Sequence, residues 1–198
     1  MTIYTIKHKH TNMYLIGEGE IYILFDCGWQ DSFPIIKTSL RQYDVDFSQL
    51  IGVFVSHFHP DHAGSVELLR QHGVKPLILE RQVPYIDWLN EFFKQKKNNP
   101  KGQFVPLDAN NITPIKLGEA AKILADYSID GKILYTPGHS EDSISLVVGN
   151  AAFVGDLPSF ETIESYGKEE VLISWNDIRT CGATQIYPAH GEKYNIGG

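Results

Sequence analysis

Ser56-His57-Phe58-His59-Pro60-Asp61-His62-Ala63-Gly64 is the stretch from which the fold is read. In front of it, Ile51-Gly52-Val53-Phe54-Val55 is a short apolar run of the kind found in a strand buried on both faces. An extended backbone sends residues i and i+2 to the same side, so His57 and His59 can point at one place. Pro60 supports that geometry, because the residue before a proline is pushed out of the helical region. Behind the cluster, residues 64–72 read as a helix with Val66, Leu68 and Leu69 on its apolar side and Gly73 as its stop. The turn into this helix lets Asp61 and His62 reach a neighbouring point. Residues 75–79 read as the next strand. Strand, helix, strand is a βαβ pattern, and it places the chain in the mixed α/β class.

Upstream, β-branched and aromatic residues mark strands at 2–7, 13–16 and 21–26, the last two joined by the turn Gly17-Glu18-Gly19-Glu20. Asp26-Cys27-Gly28 breaks the pattern, and residues 34–43 read as a helix with Pro34 suited to its first turn. Downstream, residues 82–97 predict a helix with a stripe of Tyr85, Trp88, Leu89, Phe92 and Phe93 at three- and four-residue spacings. Such a stripe serves as a lid over a pocket, as a contact between two subunits or as core, and the sequence leaves all three open. A polar loop follows at 98–102. Strands are expected at 111–116, 132–135, 144–148 and 151–154, a helix near 168–181 and a last strand at 185–187. With no repeat, linker or low-complexity tract, residues 1–198 are expected to form one domain.

Composition narrows the function. Hydrophobic residues at 42% and charged residues at 21% are ordinary for a globular chain with a sizeable core. A net charge of −7, with no basic run longer than Lys96-Lys97, opposes a phosphate-tracking surface, so nucleic acid is not an expected partner. No secretory leader and no apolar stretch near the roughly 20 residues of a membrane span are visible, so a membrane is not expected either. Cys27 and Cys181 lack CxxC spacing and read as reduced thiols, which points to the cytoplasm.

Three further candidates follow β-rich runs and sit beside Gly or Pro, where loops on a rigid scaffold carry function. They are His139 in Thr136-Pro137-Gly138-His139-Ser140, Asp156 in Val154-Gly155-Asp156, and His190 in Pro188-Ala189-His190-Gly191. A set rich in imidazole with a few carboxylates suits Zn²⁺ or another borderline transition metal. His8, His10 and His72 lack such company and read as surface or second-layer residues.

The order of HFHPDH, TPGHS, GD and PAHG resembles the metallo-β-lactamase superfamily over nearly the whole chain. That resemblance implies an αβ/βα sandwich, with two mixed β-sheets flanked by helices. It also implies that His57, His59 and His139 hold a first metal ion, that Asp61, His62 and His190 hold a second, and that Asp156 bridges the two. Asp26 matches a family position near the site that is usually structural. The ligand set resembles the two-metal branch of glyoxalase II and the lactonases. The chain ends eight residues after His190, so the C-terminal helical domain of glyoxalase II is not expected.

Two divalent ions, Zn²⁺ first with Fe or Mn as alternatives, lower the pKa of a shared water towards 7 and polarise a carbonyl. Hydrolysis of a small ester, thioester or lactone is the activity this implies. Asp61 is either a ligand alone or also orients the nucleophile. An Fe(II) persulfide dioxygenase and a phosphodiesterase are the competing activities, because related ligand sets serve both. A metal-bearing protein without catalysis fits worse, because structural zinc sites close with four ligands and seven leave room for water and substrate. Trp29, Phe33, Lys193 and Tyr194 are candidates to face a small-molecule substrate, and a homo-oligomer stays open.

Overall fold

A computed structural model describes residues 1–197. The chain forms two compact units, Met1–Ile115 and Lys116–Gly198. In the first, the alternating N-terminal residues build β1 (Thr2–His8), β2 (Thr11–Glu18) and β3 (Ile21–Phe25) as an antiparallel meander. Helix α1 (Phe33–Gln42), with Pro34 in its first turn, buries Ile36 and Leu40. It carries the chain across to β4 (Leu50–Phe54), which pairs with β3 in parallel. The sheet order is β1-β2-β3-β4. Leu15, Leu24 and Val53 share a core with the buried residues of α1.

The helix expected over 64–72 forms as α3 (Val66–Gln71), and a one-turn helix not expected from the sequence, α2 (Pro60–Ala63), precedes it. Gly64 explains the break. Its N–H donates to Gly28 O at 2.8 Å, and a Cβ there would lie 2.4 Å from the Gln30 nitrogen. Only a residue without a side chain lets the 28–30 backbone pack so close. Helix α4 (Val83–Lys94) realises the predicted amphipathic helix and buries Ile86, Leu89 and Phe93.

Two expected strands do not form. Residues 75–79 and 111–116 contribute single parallel bridges, Val53 with Pro76 and Leu79 with Ile115. Pro76 and Pro114 each lack an N–H, so neither segment can extend a ladder. Near Pro76 the pairing stops at two bonds, Val53 N to Lys75 O at 2.9 Å and Leu77 N to Val53 O at 2.8 Å.

The second unit opens with α5 (Leu117–Asp126), a helix beyond those expected from the sequence. Its first turn is closed by Glu119 accepting from the Lys116 N–H at 2.7 Å. Then β5 (Gly131–Tyr135), β6 (Ile144–Val148) and β7 (Ala151–Gly155) form an antiparallel meander. Helices α6 (Ile163–Tyr166) and α7 (Glu169–Thr180) lead to β8 (Gln185–Pro188), which pairs with β7 in parallel. The two-residue β9 (Tyr194–Asn195) closes the order β5-β6-β7-β8-β9. Trp175 and Ile178 of α7 pack with Val147, Ala152, Val154 and Ile186. The Trp175 indole N–H donates to Pro158 O at 2.9 Å. The class is therefore α/β, with two mixed sheets flanked by helices, as expected. Among the described residues no helix is long and apolar enough to cross a membrane.

Candidate metal centre

In the first unit, the candidate ligands lie just beyond β4. His57 and His62 are fully buried, their ring centroids 4.1 Å apart, and His59 lies 4.4 Å from His57. His59 is extended at φ −80°, ψ 157°, as a residue before proline should be. Asp61 lies in the first turn of α2, and its Oδ2 lies 3.6 Å from His62 Nε2.

Asp26 organises this group from the end of β3. It has the left-handed φ of 65° that aspartate tolerates better than most residues, and its N–H donates to Phe54 O at 2.8 Å. Its carboxylate accepts from Ser56 N at 2.6 Å and from Ser56 Oγ at 2.9 Å, and lies 2.9 Å from His62 Nδ1. A carboxylate can only accept, so the His62 proton sits on Nδ1 and Nε2 keeps its lone pair. The Ser56 hydroxyl has one proton and directs it at Asp26. It can therefore only accept from His57 Nδ1, 3.0 Å away. Both rings thus keep the Nε2 lone pair, the form in which imidazole binds a metal.

In the second unit, Asp156 follows β7. Its Oδ2 is 3.5 Å from His139 Nε2 and its Oδ1 is 3.3 Å from His190 Nε2. These separations exceed the 2.7–2.9 Å typical of a charge-assisted N–H···O⁻ bond. They suit donor atoms that converge on cations instead. The Thr136–Ser140 loop is clamped by α7 and the residue before it: Ser174 Oγ donates to Pro137 O at 2.9 Å and Lys168 Nζ to Gly138 O at 3.1 Å. Gly138 meets Val171 so closely that a Cβ would lie 2.5 Å from its Cγ2.

A cavity of about 420 Å³ opens onto His139, Asp156 and His190, with Ser159, Glu192 and Tyr194 also on its wall. Burial pushes the Tyr194 phenol above its ordinary range, so its hydroxyl stays protonated at neutral pH.

Of the seven residues expected as ligands, His57, His59, Asp61 and His62 lie together in the first unit, and His139, Asp156 and His190 lie together in the second. The pocket candidates divide. Tyr194 lines the cavity, while Phe33 stacks on Phe47 and His72. Lys193 lies over the Tyr187 ring at 5.8 Å, and Trp29 carries Lys9 at 4.9 Å. Burial pushes the Cys27 thiol far up, and its Sγ donates to His62 O at 3.1 Å, so it is an inert packing group. Two residues went unread. Ser56 stands next to the histidine cluster, and that adjacency was a usable signal. Thr11, whose Oγ1 donates to Asp61 Oδ2 at 3.3 Å, lies 50 residues away with nothing local to mark it.

The family model of the metallo-β-lactamase superfamily matches residues 7–188. A probable metallo-hydrolase of Methanocaldococcus jannaschii is 27% identical over 92% of this chain and 88% of its own length. The atrochrysone carboxyl ACP thioesterase of Emericella nidulans is 27% identical over 93% of this chain and 52% of its own. The chain spans about half the length of several curated relatives it matches, the thioesterase among them. Among solved structures, TTHA1623 in a di-iron-bound form superposes with a TM-score of 0.71 at 18% identity, covering 98% of this chain and 94% of that one.

Proposed function

Since the chain belongs to the metallo-β-lactamase superfamily, we propose that it is a hydrolase of a small ester, thioester or lactone, dependent on two divalent metal ions, zinc first. Membership and the metallo-hydrolase and thioesterase relatives support hydrolysis as the reaction class. The observation that carries the finer reading is the Asp156 carboxylate, each of whose oxygens faces a histidine Nε2 within 3.5 Å. A carboxylate so placed fits a bridge between two cations. In this reading His57, His59 and His139 hold one ion, Asp61, His62 and His190 the other, and Asp156 both.

When bound, the two ions supply a water of near-neutral pKa and a Lewis acid for the substrate carbonyl. The rest falls to the chain's own residues. Asp26 and Ser56 hold two imidazoles in the ligating tautomer. Thr11 restrains Asp61, which either only ligates or also orients the attacking water. Tyr194, protonated and on the cavity wall, can donate a hydrogen bond to a substrate oxygen.

Native mass spectrometry at saturating zinc, followed by assays on ester, thioester, lactone, phosphodiester and persulfide substrates, tests this. Two ions per chain and turnover of one of the first three are expected. A single tightly held ion overturns the two-metal reading. Oxygen uptake with a persulfide, and no hydrolysis, overturns the reaction class.

A further inference from the structure

Helix α4 carries two apolar stripes with different fates. Ile86, Leu89 and Phe93 are buried in the core of the first unit. Tyr85, Trp88 and Phe92, displaced by one position, form a second stripe: Tyr85 and Phe92 are partly buried against the same core, and Trp88 between them is 47% exposed. The helix holds this stripe rigidly. Asn90 donates to Leu107 O at 2.8 Å and accepts from Leu107 N at 3.1 Å, and Asn98 Nδ2 donates to Phe92 O at 2.8 Å. These bonds tie the helix to the 98–107 segment beside the exposed indole. Its ring stacks on Phe92 at 5.7 Å and lies 5.5 Å from the His59 ring, tilted by 44°.

We propose that Trp88, backed by Phe92, is the shelf on which the flat or extended apolar group of the substrate lies, an aryl or long acyl chain attached to the carbonyl. This rests on the ester, thioester or lactone reading above and adds its substrate class. His59 is a candidate ligand, so a group laid across Trp88 sits one ring width from where a carbonyl would be polarised. An aromatic face supplies large contact area at low entropic cost and prefers flat or apolar partners. A second copy of the chain is a poorer occupant. A stable dimer buries about 800 Å² per partner, and the flanks of this stripe at Asp87, Glu91 and Lys94 are exposed charges.

The test compares zinc-loaded wild type with Trp88→Ala and Trp88→Phe. The ratio of kcat/KM for a phenylacetyl or decanoyl ester to that for the acetyl ester of the same alcohol is expected to fall about 10–100-fold in the alanine variant. The phenylalanine variant should restore most of it. Calorimetry with benzohydroxamate and acetohydroxamate reads the same preference without turnover, and it too should collapse in Trp88→Ala. Unchanged preferences in both assays overturn the shelf while leaving the hydrolase reading intact. Loss of the hydroxamate preference in a protein that hydrolyses none of the esters supports the shelf and sinks the hydrolase reading. A drop in solution mass on Trp88→Ala, seen by light scattering, overturns the shelf in favour of a contact between copies.

Discussion

In each unit a meander of three antiparallel strands is followed by a helical crossover and a strand that returns parallel to the third. An aspartate stands where that third strand ends: Asp26 after β3 and Asp156 after β7. The backbone is stitched across both strand pairs at this point, by Asp26 N to Phe54 O and by Ala189 N to Gly155 O. The fates of the two carboxylates differ. Asp26 is 1% exposed and takes both the amide and the hydroxyl of Ser56 as well as a histidine Nδ1. The Asp156 side chain is 14% exposed and faces two histidine Nε2 atoms. The same place in the same topology has yielded a buried scaffold once and an open ligand once. The donors that surround the carboxylate decide between them, and the strand end does not.

The comparison breaks if the two aspartates respond alike to substitution. Asp156→Ala is expected to give the largest effect, a loss of hydrolysis of more than about 100-fold with fewer ions retained. Substitutions that only support a ligand typically cost 10–100-fold, and Asp156 is assigned as a ligand itself. The melting temperature of the metal-free protein should move little, because the side chain faces a cavity. Near-normal turnover at matched metal content would refute its assignment as a bridge.

Asp26→Asn should instead act at one remove. The amide nitrogen would replace an acceptor that faces the Ser56 hydroxyl and His62 Nδ1, so the His62 proton is driven to Nε2 and its ligating lone pair is lost. Metal affinity is expected to fall about 10–100-fold, measured by competition with a chelator. Nitrogen chemical shifts of the metal-free protein should report the change of tautomer. A variant that keeps the wild-type tautomer and affinity would show that Asp26 is only a fold residue.

Much of the site was legible because its signals are local. The alternation through Pro60 put His57 and His59 together, and Gly or Pro beside His139, Asp156 and His190 marked them as loop residues at strand ends. The failures have both local and tertiary causes. Residues 75–79 and 111–116 have the apolar character of strands, yet Pro76 and Pro114 confine them to single bridges. The helix Leu117–Asp126 was overlooked because Gly118 weakens its first turn, and because its buried Ala120 and Leu124 make a short apolar stripe. No local pattern tells that Thr11 meets Asp61, since the packing of α2 near the start of β2 places them together. The apolar stripe of α4 is visible in the sequence, but that Trp88 is its exposed member depends on packing.

The smallest expected effect sharpens the comparison most, because it removes one hydroxyl and nothing else. Ser56 is buried, and its hydroxyl donates to Asp26 while standing 3.0 Å from His57 Nδ1 and 3.2 Å from His62 Nδ1. In Ser56→Ala the backbone N–H still reaches Asp26, and His62 keeps its direct carboxylate partner. His57 alone loses the acceptor that fixes its proton. A cost of about 1–3 kcal/mol in folding stability follows from leaving that buried group without its partner, checked by urea unfolding of the metal-free protein. Metal affinity should fall by about 10-fold, the low end of the range for a supporting residue, and by less than in Asp26→Asn. The two measurements separate two accounts of the site. If Ser56→Ala weakens metal binding as much as Asp26→Asn does, the serine rather than the carboxylate fixes both imidazoles. If it leaves affinity untouched while stability falls, the His57 tautomer is set by the metal itself, and the organising role of Asp26 extends to His62 alone.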